Sequence, residues 1–241
     1  HIFGDFDSLA WDLGNPDDPV RTNPNPIRVA DPLGTAFVGF HPMKGPMTTQ
    51  SLRGMANAGP MHWRGDRTGG YVGQPLNEDL AFKEFNVAFA GLLGRSGPLT
   101  AGEMQRFTTF ILQVTYPPNP IRALDNSLTP DQDAGRTFFL ASQASDIFQP
   151  CHGCHTLDPS QGFFGTDGFT SFENEPQLMK IPHLRNGYQK VGMFGMPQVP
   201  FINPGDNASK GDQVRGFGFL HDGSVDTLFR FHNAFVFDQT V

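Results

Sequence analysis

Apolar residues along this chain gather into a few short runs of helical spacing, separated by long stretches that Gly and Pro punctuate. The clearest run covers 78–93. There Phe82, Phe85, Phe89 and Leu92 or Leu93 return at three- and four-residue steps before Gly94 closes it. Thr100-Ala101-Gly102-Glu103 then reads as a capping box, with Thr as N-cap and Glu three residues on. It opens a helix to about Val114, with Met104, Phe107, Phe110 or Ile111, and Val114 on one face. Thr129-Pro130-Asp131 starts another helix, to about Ser142, with Ala134, Phe138 and Ala141 turned inward. Shorter helices are predicted over 49–58, 147–155 and 182–187, and a last one from Val225 to about Phe235. No segment alternates convincingly, so no strand is predicted.

Between these runs the chain is built for irregular backbone. Gly (28) and Pro (21) are frequent enough to break most other segments, as at Asn23-Pro24-Asn25-Pro26 and Tyr116-Pro117-Pro118. The expected fold is therefore mainly α with long irregular loops. Among the aromatics Phe dominates, with 24 against 3 Tyr and 2 Trp, which supplies apolar contact without polar handles. That suits either an aromatic core or walls around a large flat cofactor. A net charge of −7 gives no surface able to neutralise phosphates, so nucleic acid is not an expected partner. No apolar stretch reaches the roughly eighteen residues needed to span a bilayer.

The two cysteines are both spent in Cys151-His152-Gly153-Cys154-His155. Cys-x-x-Cys-His is the attachment spacing of c-type haem: thiols three residues apart share one side of a helical turn and meet the two porphyrin vinyl groups, and the following His faces the iron. A redox Cys pair would sit in a βαβ setting, and a zinc site needs a second ligand pair; both remain as alternatives. His152 reads as a spacer. Sixth-ligand candidates downstream are Met179, Met193, Met196, His183, His221 and His232. Met193 and Met196 fall in a Gly-rich loop, away from the usual core role of Met.

Two further segments carry a resemblance. Lys180-Ile181-Pro182-His183-Leu184-Arg185-Asn186 and Gly218-Phe219-Leu220-His221-Asp222-Gly223 follow the haem motif in that order. They resemble the C-terminal haem domain of bacterial di-haem cytochrome c peroxidases, which carry Lys-(Val/Ile)-Pro-x-Leu-Arg-Asn and then His-(Asp/Ser)-Gly. His41-Pro42-Met43-Lys44-Gly45-Pro46, Thr48-Thr49-Gln50-Ser51-Leu52-Arg53 and Met61-His62-Trp63-Arg64-Gly65-Asp66-Arg67 resemble that family's first domain.

The resemblance implies two cytochrome c-like haem domains, 1–125 and 126–241. His1 would be the last residue of a first haem motif; an ordinary terminus and a copper-binding histidine brace stay open beside that reading. His41 is similar to the distal His of the first haem, and Trp63 to the aromatic residue between the haems. Arg185 would support the second haem's surroundings. Where the family has the second haem's distal ligand, this chain has Phe235; His232, one turn earlier, and Met193 compete for that role.

The family's peroxidases also use a Gln and a catalytic Glu after the Trp motif. Gln74 and Glu78 are available here, but the spacing departs from the pattern. Calcium between the domains is an open expectation, since Thr48 stands where the family has Asn. The function expected is therefore an electron-transferring c-type cytochrome, periplasmic or extracellular, serving a redox partner protein within a larger multidomain or multihaem assembly. The alternative is a peroxidase or related haem oxidoreductase.

Overall fold

A computed structural model describes residues 9–29, 34, 39–141, 149–172, 177–192, 216–234 and 237. It corrects the mainly-α, two-cytochrome-domain expectation. Helix of any kind takes 30 % of the described residues and strand 12 %, distributed over several small sheets.

The strands are β1 (Ala10–Trp11), β2 (Arg21–Thr22), β3 (Ile27–Val29), β4 (Gly39–Phe40), β5 (Met47–Thr48), β6 (Leu157–Asp158), β7 (Phe163–Phe164), β8 (Thr170–Ser171) and β9 (Met179–Lys180). Strands of two or three residues leave no alternation to read in the sequence. Their partners also lie far off in the chain: β1 pairs with β5 and β2 with β4, both antiparallel, while β3 runs parallel to β8, which pairs antiparallel with β9. The sheet β3–β8–β9 thus joins residues from both sides of position 126.

The helices are shorter than the periodicity predicts. The 78–93 run is split into α1 (Glu78–Lys83), a 3-10 turn (Glu84–Asn86) and α2 (Val87–Gly91). The capping box of Thr100 and Glu103 forms as read, and α3 (Ala101–Ile111) follows it. Thr129 and Gln132 make a second box ahead of α4 (Pro130–Phe139), with Pro in the first turn where its missing N–H costs nothing. A one-turn helix, α5 (Cys151–Cys154), carries the cysteines, and α6 (Leu228–His232) is the shortened last helix. Residues 49–58 form turns rather than a helix, and the expected helix over 182–187 is replaced by turns leading into a 3-10 turn at Gly187–Gln189.

Two buried clusters result. One joins α1 and α3 through Met61, Ala81, Phe82, Met104 and Ile111, with Phe107 stacked edge-on to Phe82 at 5.2 Å. Phe110, an alternative inward residue by periodicity, is exposed, and Thr108 is buried instead with its hydroxyl donating to Met104 O. The other is Met47, Trp63, Met179 and Phe217. By contrast α4 buries none of its residues. Ala134 is exposed and Phe138 only half-buried.

Candidate functional site

The site is built around His155. Pro150 begins α5, and the backbone N–H of His155 donates to Cys151 O at 2.8 Å, closing the single turn. Cys151 and Cys154 are half-buried thiols, not a disulfide. The chain then folds back as the hairpin β6–β7, around a 3-10 turn at Pro159–Gln161 and a left-handed Gly162. The hairpin returns Gly165 beside its starting point, with Gly165 N–H donating to Thr156 O at 2.8 Å.

The result is a fixed imidazole. Nδ1 of His155 lies 3.0 Å from Gly165 O and 3.0 Å from Pro182 O. Two carbonyls can only accept, so Nδ1 carries the proton and Nε2 holds the lone pair. Gly165 has φ +99, and a Cβ there would lie 2.8 Å from the Leu184 backbone nitrogen. Only glycine fits that approach, which Leu184 N–H completes by donating to Phe164 O. Asp167 braces the same turn: it accepts from Thr156 Oγ1 at 2.9 Å and pairs with Arg28 at 2.5 Å, whose guanidinium stacks on Phe169. His152 Nδ1 sits 3.2 Å from Phe139 O, tying α5 to the end of α4. That contact suits the spacer role.

Beyond the hairpin, the Lys180–Asn186 segment is held by the loop 54–60. Arg185 donates to Gly54 O and Ala56 O, and its guanidinium lies over Tyr116 and Phe164. Lys180 donates to Pro60 O and Ala58 O. Burial, with Lys190 adding a like charge, lowers the Lys180 ammonium to about 8. Burial also drives His183 well below the ordinary imidazole value, with Lys190, Lys180 and Arg185 contributing. His183 is thus a neutral imidazole, 3.5 Å from Tyr116 Oη, and its Nδ1 accepts from Arg185 N–H. Burial raises the Tyr116 phenol to about 12 despite the nearby Arg185.

The other expected residues are placed apart from this turn. Trp63 is buried, donates Nε1–H to Thr48 O at 2.9 Å, and meets Phe217 and His221 edge-on. Met179 is fully buried beside it as core. His41 Nδ1 accepts from its neighbour Met43 N–H at 3.1 Å. Thr48 uses its hydroxyl to donate to His221 O. Gln74 accepts from the Asn77 side chain, and Glu78 accepts from Asn57 N–H at 2.9 Å, so the carboxamide meets the N-cap side chain of α1 and the carboxylate holds loop backbone. His232 is exposed on α6 between Phe231 and Phe237. His1, Met193, Met196 and Phe235 lie outside the described residues.

One pair escaped the sequence reading. His62 takes φ +78, rare for a residue with a side chain, and its Nδ1 meets Asp66 at 2.8 Å. Burial works to raise Asp66, but the His62 hydrogen bond and nearby Arg67 outweigh it and hold the carboxyl at about 2. The i, i+4 spacing was visible in the sequence, but outside a helix that spacing carries no signal.

The motif residues can be tested against their candidate chemistries. No group of three or more His, Cys, Asp or Glu side chains converges on a common point among the described residues, as zinc would require. Two thiols on one turn followed by an oriented imidazole fit a porphyrin instead. Phe139, whose carbonyl meets His152 of the motif, lines a groove of about 900 Å³ with Leu140, Leu157 and Leu184, these three leucines all exposed. No helix among the described residues is long and apolar enough to cross a membrane.

No family model matches the chain, and none of the curated proteins does. Among solved structures, a hydrazine synthase of Kuenenia stuttgartiensis, studied under xenon pressure, is similar over 96 % of this chain and 69 % of that one, at 18 % identity and a TM-score of 0.49.

Proposed function

We propose that this chain is a c-type haem protein that passes electrons, with Cys151 and Cys154 as the thioether positions and His155 Nε2 as the axial ligand. The observation that carries the reading is the pair of carbonyls, Gly165 O and Pro182 O, each 3.0 Å from His155 Nδ1. A ligating imidazole needs its other nitrogen anchored in this way, which fixes both tautomer and ring direction. The bound haem would supply one-electron redox chemistry. The chain's own residues do the positioning. The α5 turn presents the thiols, the β6–β7 hairpin and Pro182 hold the imidazole, and the leucine-lined groove keeps water from one side.

Electron transfer is favoured over peroxide turnover because Gln74 is engaged by the Asn77 side chain and Glu78 by the Asn57 backbone N–H. O–O cleavage needs an acid/base group poised over the reacting oxygen. A location outside the cytoplasmic membrane, in the periplasm or beyond, goes with this reading, because that is where haem is attached covalently. The net charge of −7 suits a basic redox partner steered by long-range attraction.

The test is production in a host with c-type haem maturation, followed by intact mass and the alkaline pyridine spectrum. Covalent haem is expected in the parent protein and lost when Cys151 and Cys154 are both changed to Ala. A parent protein that carries no covalent haem refutes the reading. Rapid, repeated turnover of added peroxide would refute the electron-transfer part while leaving the haem part standing.

A further inference from the structure

A groove near the haem motif has a mixed lining. Its apolar residues are Phe139, Leu140, Leu157 and Leu184, with Ile121, Leu128 and Pro130. Two of them touch the surroundings of the motif: Phe139 O takes the His152 contact, and Leu184 lies against Gly165, whose carbonyl faces His155 Nδ1. The same groove carries two cations, Arg122 from the 117–128 linker and Arg136 from α4.

Arg122 is preorganised. One terminal nitrogen donates to Asn126 O at 2.8 Å, while Nε is buried without a hydrogen-bond partner. A buried guanidinium N–H left unpaired is costly, so it marks a place where an acceptor belongs. Arg136 makes no ion pair among the described residues. The acidic groups nearby are Asp125, whose carboxyl is engaged by Ser127, and Asp133, which shares the groove.

A planar ligand with an apolar body and carboxylates matches this mixed lining. Resting on the haem reading above, we propose that Arg122 and Arg136 bind the propionates of the haem held at Cys151 and Cys154, with the groove as its bed. Arg122 Nε–H and a terminal N–H form a fork for one carboxylate, and Arg136 supplies the second charge. Holding ionised propionates beside these cations also makes the linker 117–128 part of the haem site.

The experiment uses the haem-loaded full chain and three versions of it: Arg122→Gln with Arg136→Gln, Arg122→Lys with Arg136→Lys, and the control Arg106→Gln on α3. Haem content comes from the pyridine spectrum and midpoint potential from redox titration between pH 5 and 9. With both cations neutralised, the potential falls and its pH inflection moves up by about one unit, since a cation beside a carboxyl lowers its pKa by about 1–3 units. The lysine pair restores most of the parent behaviour and the control changes nothing. Haem attachment lost in the glutamine pair but kept in the lysine pair also counts for the inference. A haem-loaded glutamine pair with the parent's potential at every pH overturns it while the haem reading stands. A parent protein without haem overturns both.

Discussion

Replacing Arg185 with Met should be one of the most damaging single changes that leaves the haem motif untouched. The side chain fastens the segment 180–186 to the loop 54–60. It donates to Gly54 O and Ala56 O and lies 5.7 Å from the Tyr116 ring centre and 5.2 Å from that of Phe164. Hydrogen bonds from a charged donor contribute about 1.5–3 kcal/mol each, and a cation over an aromatic ring about 0.5–2 kcal/mol. Arg185 is half-buried, so water recovers part of the loss at the two carbonyls. The net cost is then about 3 kcal/mol, or a fall of roughly 6–12 °C in melting temperature for a chain of this size. Met keeps the apolar length of the stem, so the loss measures the guanidinium. Arg185→Lys retains the charge but reaches only one carbonyl well, and should lose about half as much. Urea unfolding followed by tryptophan fluorescence reads the change, because Trp63 is buried in the second cluster. If Arg185→Met shifts stability by less than about 0.5 kcal/mol, the clamp is no clamp, and the two carbonyls must be satisfied by water.

Three other outcomes follow from the geometry. Gly165→Ala puts a Cβ at φ +99 against the Leu184 backbone; it should cost at least about 2 kcal/mol by thermal unfolding and weaken His155's anchoring, and an unchanged melting curve would contradict the close approach. Asp66, held at about 2 against an ordinary 3.8, contributes stability that is fully present above pH 4 and is lost as pH falls toward 2. That loss is worth about 2 kcal/mol, and urea midpoints between pH 2 and 5 should show it in the parent but not in Asp66→Asn. Thr100→Ala removes a two-way capping box from α3 and should cost about 1 kcal/mol, measured by chemical denaturation; a neutral effect would mean the helix start is held by packing alone.

How much was legible depended on how local the cause was. The Thr100–Glu103 capping box could be read because donor and acceptor lie three residues apart, the start of α4 from Thr129 followed by Pro130, and the Cys151–His155 turn because its spacing is itself the geometry. The 78–93 helix was overread: the apolar repeat is real, but the chain tightens to 3-10 geometry at Glu84–Asn86 in its middle. The inward face assigned to α4 was overread too, since periodicity gives a face but not what covers it. Gln74 and Glu78 could be picked out as residue types, but only their hydrogen bonds to Asn77 and Asn57 show where they are used.

The sequence by itself determined the chemistry that neighbouring residues set: where the thiols and imidazole sit on one turn, where the two capped helices begin, and that frequent Gly and Pro keep regular elements short. Tertiary structure alone decided the rest. It brought Gly165 O and Pro182 O to one nitrogen of His155, paired Ile27 with Thr170, drew Lys180 and Arg185 onto the loop 54–60, and left a groove lined by leucines and two arginines. The physical reason is common to all four. Each contact joins groups at least ten residues apart, and such pairings follow from how the whole chain closes, not from any pattern within one segment.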